Sequence, residues 1–234
     1  MKKPVFYTEL AWLIGLWLLA WGTALTAWAD LGISMVVAPA YVLHLAMSDI
    51  WPWFTFGIGE YVLQATVLVI IMILLRKMKL RYFLSFLVAI FYGFILDLGM
   101  AATGRLLPET AEIPLRIAVY VAGDLAVCSG IALILRSYLP PEVYELFVKE
   151  VAALGKLRIS TVKTLYDCTS LVVAVLISLA LLGKIEGIGI ATVICAFVNG
   201  FLIDKCGVIF DKILNFRDIL PLRPKFEEGV TTYE

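Results

Sequence analysis

Five acidic residues lie within or at the ends of long apolar stretches of this chain: Glu60, Asp97, Asp124, Asp167 and Asp204. On insertion scales, a charged side chain at the centre of a membrane costs about 2.5–3.5 kcal/mol, so each carboxylate requires a partner, water or a proton. Neighbouring carboxylates also raise one another's pKa, which allows proton exchange. These residues are therefore candidates for binding a substrate or a proton.

Asp124 is the deepest of the five, about halfway along its apolar stretch. An unpaired acid at that depth must face water or the interior of a helix bundle, or be protonated. Gln64 and Asn199 either line the same cavity or form hydrogen bonds across helices. Asp124 is our leading candidate for substrate or proton binding.

The other four acids also have a structural interpretation. Glu60 and Asp167 fall in the first turns of helices, where the helix dipole favours negative charge, and Lys163 is spaced to pair with Asp167. The dipole does not explain Asp97 and Asp204, which fall in last turns. Two interpretations stay open: helix capping, or an acid pair near each membrane face that serves as a gate or a cation vestibule.

Four glycines open two of the apolar stretches: Gly57, Gly59, Gly187 and Gly189. Glycine allows the backbone to approach a ligand at a helix N-terminus, as in transporters with broken helices. Glycine also marks ordinary loops. The sequence is consistent with both roles.

Residue types that perform catalysis are sparse. The single histidine, His44, excludes multi-histidine metal sites, and no Ser/His/Asp set or phosphate-binding glycine loop is present. The four cysteines lack zinc-ligand spacing and are interpreted as small apolar packing residues. We expect no enzyme activity, no catalytic residue, no metal site and no cofactor.

The elements that carry these residues are membrane helices. Of the 234 residues, 62% are apolar and 16% are charged, against roughly 45–50% and about 25% in soluble domains. Six stretches are long enough to cross a hydrocarbon core of about 30 Å as helices: 9–29, 57–75, 83–100, 113–135, 164–183 and 187–206. The alternation typical of membrane strands is absent. The sequence therefore predicts an all-α bundle of six transmembrane helices.

The placement of charge predicts the orientation of the bundle. The chain has 19 basic and 19 acidic residues, so it lacks the basic excess typical of nucleic-acid binding. All basic residues except Arg105, Arg116 and Lys184 fall on one side of the predicted membrane. By the positive-inside rule both termini are cytoplasmic, and the principal partner is the lipid bilayer.

The two halves of the chain share a pattern. At an offset of 108 residues Gly15 and Gly22 fall on Gly123 and Gly130, and at an offset of 107 residues 93–97 fall on 200–204. Each half has three spans, an odd number, so the second half enters the membrane from the opposite side. We predict two inverted three-helix repeats, at 1–112 and 113–206, followed by a cytoplasmic tail at 207–234.

A further segment follows the first span of each half. Residues 36–47 are too short to span and too apolar for a free loop, which predicts a re-entrant or interfacial helix. Residues 140–156 begin with two prolines and continue with the spacing of an amphipathic helix that lies on the cytoplasmic face. The predicted fold thus has an interfacial or re-entrant segment in each half.

The chain resembles the bacterial YczE/YitT group of integral membrane proteins. The resemblance rests on five motifs: Ala29-Asp30-Leu31-Gly32-Ile33-Ser34, Gly57-Ile58-Gly59-Glu60, Leu139-Pro140-Pro141-Glu142, Lys163-Thr164-Leu165-Tyr166-Asp167 and Gly187-Ile188-Gly189. It extends over residues 9–206 and implies a multi-pass protein of the bacterial cell membrane. It implies little about chemistry, because that group has no settled substrate.

Two functions fit these observations. The first is a small secondary transporter or permease for an unidentified small solute, coupled to protons through the carboxylates. The alternative is a non-transporting accessory protein that docks a cytoplasmic partner through the helix near 140–156. A chain of this size with small-residue helix faces is also a candidate homodimer.

Overall fold

The structure, a computed structural model, describes residues 3–76, 80–108, 110–221 and 223. Within them the chain forms eight helices and two short strands, in this order: β1 (Val5–Tyr7), α1 (Thr8–Ala29), α2 (Ala38–Ser48), α3 (Phe56–Leu75), α4 (Leu80–Leu106), α5 (Ile113–Ile134), α6 (Val143–Gly155), α7 (Ile159–Leu182), α8 (Ile190–Ile213) and β2 (Asn215–Arg217).

Six of the described helices are long and apolar enough to cross a membrane: α1, α3, α4, α5, α7 and α8. The prediction of six such helices, and hence of a multi-pass membrane protein, is confirmed at this level. Several bounds differ, most of all at the ends of α4 and α8. Helix α4 extends to Leu106, and α8 continues to Ile213, so the tail predicted from residue 207 begins inside a helix.

Helices α1 and α5 form the centre of the bundle, and theirs is the most extensive pairing among the described helices. Gly22 touches the backbone of Gly123, and Gly15 touches that of Gly130. A Cβ atom on Gly22 would lie 2.5 Å from the carbonyl oxygen of Gly123, and one on Gly15 would lie 2.7 Å from that of Gly130. Small residues therefore set the close approach of these two helices.

The two strands join the ends of the described chain. They pair in parallel, with Phe6 opposite Phe216 and the two rings 6.0 Å apart. Next to them, Glu9 of α1 accepts hydrogen bonds from the Tyr138 hydroxyl at 2.7 Å and from the Ile219 amide at 3.0 Å. We call this end of the bundle the terminal face and the opposite end the distal face.

Helix α6 packs inside the bundle, which favours the re-entrant alternative over a helix that lies on the membrane surface. The preceding chain passes Trp12, which donates to the carbonyl of Pro140 at 3.2 Å, and α6 begins beside Gln64 near the middle of α3. The helix then returns to the terminal face, where Glu150 pairs with Arg81 at the start of α4. Its apolar side packs on α3, α4 and α7, so the segment is re-entrant rather than superficial.

The bundle is asymmetric between its two halves. Helix α2 packs on α3 and α7, and α6 packs in turn on α7 and α3. Helix α3 also packs along α4, whereas in the described part of the chain α7 and α8 make at most a marginal contact. Helix α8 is held mainly by α5, and the space left between α2, α5 and α8 forms a groove.

Candidate functional site

The groove lies toward the distal face and has a volume of about 1070 Å³. Its walls come from α5, α8, α2 and the segment 185–189. Most of the lining is aliphatic, with Tyr41 and Tyr120 as its aromatic rings. Asp124 lies in this lining midway along α5, so the structure places the leading candidate of the sequence in an open cavity.

Asp124 is held from α8 by two side chains. Asn199 donates from Nδ2 to Asp124 Oδ1 at 2.9 Å, and the Cys195 thiol lies 3.5 Å from the same oxygen. Cys195 also contacts the Tyr120 hydroxyl at 3.0 Å. Both donors reach Oδ1. No described residue donates a hydrogen bond to Oδ2, and no described basic side chain pairs with it. A carboxylate oriented in this way is suited to binding a cation.

The chain that precedes α8 closes the distal end of the groove. Gly187 has a φ of +72°, a backbone conformation that residues with a Cβ atom rarely adopt. Gly189 lies so close to the carbonyl of Leu31 that any Cβ would overlap it. Ile33 donates its amide hydrogen to the carbonyl of Gly187 at 3.2 Å. These glycines line the groove through their backbone, yet their closest contacts are with protein.

Acidic groups surround the mouth of the groove. Asp30 pairs with Arg116 at 2.8 Å, and Arg116 also donates to the carbonyl of Ala29 at 2.7 Å. Glu186 pairs with Lys184. Burial first, and then the charges of Asp30 and Glu186, raise the pKa of Tyr41 to about 12. Each acid at the mouth is therefore paired with a base.

Glu60 and Gln64 belong to a different, fully buried cluster between α3 and α6. Gln64 donates from Nε2 to Glu60 at 3.2 Å and to Glu142 at 3.4 Å, and its carbonyl accepts from the amide of Val143 at 3.2 Å. Tyr144 donates its hydroxyl to Glu60 at 2.7 Å. Burial, with the nearby charges of Glu145 and Glu60, raises the pKa of Glu142 well above its usual range.

Asp97 has a capping role that the sequence did not explain. It accepts from the Thr55 hydroxyl at 2.7 Å and from the Gly57 amide at 2.8 Å, at the start of α3. A carboxylate in the second half of α4 thus serves the N-terminus of the neighbouring helix, where the dipole favours it. Gly57 leaves room for this contact, and Gly59 leaves room for the carbonyl of Ala40.

The acids predicted as pairs have separate partners in the structure. Glu60 bonds within the α3–α6 cluster, whereas Asp97 bonds at the start of α3. Asp167 forms the expected ion pair with Lys163 at 3.1 Å. Asp204 is exposed on α8, because α8 does not pack on α7 as α4 packs on α3.

Several components of these sites were not among the sequence candidates, including Glu142 and Cys195. The sequence singles out Glu142 only as part of the motif Leu139-Pro140-Pro141-Glu142, at the start of a helix predicted to lie on the membrane surface. Cys195 was interpreted as apolar packing, and instead it contacts both Tyr120 and Asp124. The pairing of α5 with α8 and the re-entrant path of α6 bring these residues into place.

Comparison with known proteins gives a family but no described activity. Residues 6–207 match a family model described as a family of unknown function, DUF6198, and the chain belongs to that family. No curated protein matches the chain, and no solved structure matches it.

Proposed function

We propose that this member of the DUF6198 family is a small secondary transporter that carries an organic cation with an apolar body through the Asp124 groove. The observation that carries the proposal is Asp124 itself. It is a carboxylate with one oxygen held by Asn199 and Cys195 and the other without a donor among the described residues, inside an apolar groove.

The proposal includes an inverted-repeat relation between the two halves, which the contacts between α1 and α5 support. The offset of 108 takes Gly15 to Gly123 and Gly22 to Gly130, and the observed contacts are Gly15 with Gly130 and Gly22 with Gly123. Exchanging the halves therefore converts one contact into the other, as a two-fold axis between α1 and α5 requires. The pairing of α1 with α4 corresponds in the same way to that of α5 with α8.

The difference between the halves supports alternating access. In an inverted-repeat transporter, the two halves exchange conformations, so that the site opens to one face at a time. Here α3 packs on α4, whereas the corresponding α7 and α8 are apart and leave the groove open. We interpret this arrangement as the state open at the distal face, with the terminal face closed.

The chemistry of the groove favours a cation. An ionised Asp124 attracts an ammonium group, and Tyr41 and Tyr120 offer aromatic faces of the kind that bind quaternary ammonium ions. The aliphatic lining suits an apolar body. An anion would meet the Asp124 carboxylate, which has no basic partner among the described residues, so anions are expected to be excluded.

The proposal also covers the location of the protein and its relationship to the YczE/YitT group. We place the protein in the bacterial cell membrane with the terminal face in the cytoplasm, because the basic residues gather on that side. Resemblance to the YczE/YitT group agrees with this placement. A reporter fused in the loop between α4 and α5 is expected to be outside the cell, and a cytoplasmic reporter would contradict the orientation.

The test is uptake by purified protein in liposomes. The probe is radiolabelled benzyltrimethylammonium, which is permanently charged and crosses lipid slowly, and benzenesulfonate serves as an anion of similar size. We expect uptake of the cation in excess of the anion and of protein-free liposomes. Asp124→Asn keeps the size of the side chain beside Asn199 and removes its charge. It is expected to reduce uptake at least tenfold.

The matched control is Glu112→Gln, which removes an exposed acid at the start of α5. It is expected to leave uptake unchanged. Full activity of Asp124→Asn would contradict the role of the groove carboxylate. Absence of uptake by the wild-type protein would contradict cation transport and favour the accessory role, in which a partner would dock on the exposed side of α6.

A further inference from the structure

We propose that Glu60 and Glu142 form a proton-binding site that holds one exchangeable proton between them, separate from the Asp124 groove. The site lies where the re-entrant helix α6 begins against α3. If the protein is a transporter, this proton is its coupling ion, a role that rests on the proposed function. The binding of the proton does not rest on it.

The hydrogen-bond inventory leaves two oxygens without partners. Gln64 uses both amide hydrogens, one for Oε2 of Glu60 and one for Oε2 of Glu142. Tyr144 donates to the same Oε2 of Glu60. Oε1 of Glu60 and Oε1 of Glu142 are buried and accept no hydrogen bond from any described residue. A buried oxygen without a donor is costly, and a proton on it changes it into a donor.

The charge inventory gives the same result. Glu60 is fully buried and Glu142 is 5% exposed, and no basic side chain in the described ranges pairs with either. The ionisable groups that face the pair are Tyr144 and Glu145 of α6, Tyr92 of α4 and Tyr166 of α7. None of them supplies a positive charge at neutral pH. Two buried carboxylates therefore share a site that tolerates only one negative charge.

The remaining negative charge has stabilising groups. The amide of Gln64 and the hydroxyl of Tyr144 donate to it, and the N-terminus of the 13-residue helix α6 points toward it. Release of the proton would leave two charges between α3 and α6, and these charges repel. Binding and release of one proton thus alter the contact that holds α6 against α3.

The test is a titration of the purified protein in detergent, with infrared difference spectra that follow the carbonyl band of a protonated carboxyl group. We expect the wild type to lose this band as pH rises from neutral to alkaline. Glu60→Gln and Glu142→Gln remove the like-charged neighbour, so the remaining carboxyl should titrate lower by at least about one pH unit, a tenfold loss in proton affinity.

Tyr144→Phe provides an opposite shift that a purely structural role would not produce. It removes a donor to the ionised pair, so the proton should be released at higher pH. The Glu112→Gln control should titrate like the wild type. Unchanged titration in both Glu→Gln variants would overturn the site, as would the absence of a protonated band at neutral pH in the wild type.

Sodium provides a further arm. Adding sodium chloride in place of potassium chloride at constant pH should leave the band unchanged, and loss of the band would overturn the proposal in favour of sodium. Failure of the uptake assay would overturn transport while leaving the titration valid. The failures of the two proposals are therefore distinguishable.

Discussion

Asn199 of α8 donates a hydrogen bond from Nδ2 to Oδ1 of Asp124 on α5 at 2.9 Å, across the floor of the groove. The two residues are 75 positions apart in the chain. The bond fixes one oxygen of the carboxylate and leaves the other toward the groove. It also fastens α8 to α5, which matters because α8 has little support from α7.

Asn199→Leu should weaken cation binding. The variant removes the donor that orients the Asp124 carboxylate, so the affinity for benzyltrimethylammonium should fall roughly tenfold, or about 1.4 kcal/mol. Equilibrium dialysis against the labelled probe measures this loss.

Ser129→Ala is the matched control for Asn199→Leu. Ser129 also joins α5 to α8, through a contact with Cys206 at 3.6 Å, but it does not line the groove. Its removal should leave probe affinity within about twofold of the wild type. An equal loss in both variants would mean that helix packing, rather than Asp124, determines binding.

Gly22→Leu should destabilise the α1–α5 pair. The first atom of the new side chain would lie 2.5 Å from the carbonyl of Gly123, so the helices must separate. Overpacking of this kind costs about 1–3 kcal/mol, and the thermal denaturation midpoint in detergent should fall. Gly200→Ala, which meets nothing within 4 Å, should be neutral or stabilising. Equal stability of Gly22→Leu and the wild type would contradict the observed crossing.

Asp97→Ala should cost about 1–3 kcal/mol of unfolding free energy. The substitution leaves the Gly57 amide and the Thr55 hydroxyl without their acceptor at the start of α3. Its repeat-related counterpart offers a comparison, since Asp204 is exposed and no hydrogen bond links it to another described residue. Asp204→Ala should change stability by less than about 0.5 kcal/mol. Denaturant titration of the two variants separates capping from a general effect of charge.

The stability of the protein should decrease as pH rises above the usual pKa of a glutamate. Burial raises the pKa of Glu142 in the folded protein, so the folded state binds a proton that the unfolded state has already released. The stabilisation is fully present below the unfolded pKa of about 4.3 and is lost as pH approaches the folded value.

Glu142→Gln should flatten this dependence of the denaturation midpoint on pH. The Glu112→Gln control should retain the wild-type slope, because Glu112 is exposed. A slope that is the same in all three proteins would show that Glu142 is ionised in the folded state.

Much of the architecture follows from local sequence. A membrane span needs only a run of apolar residues of sufficient length, so the six long helices could be located without knowledge of their neighbours. The Lys163–Asp167 ion pair is likewise local, because four residues bring side chains together on one helix. The three-residue strands β1 and β2 could not be found in this way, because each forms only by pairing with the other, which is distant in the chain.

The sequence by itself determined that this chain is a six-helix membrane protein and that its rare acids need an explanation. The tertiary structure decided which partners those acids have. Asp124 meets Asn199 because α5 crosses α8, and Glu60 meets Glu142 because α6 turns inward. An amphipathic pattern shows that a helix has an apolar side, but only long-range packing determines which surface covers that side.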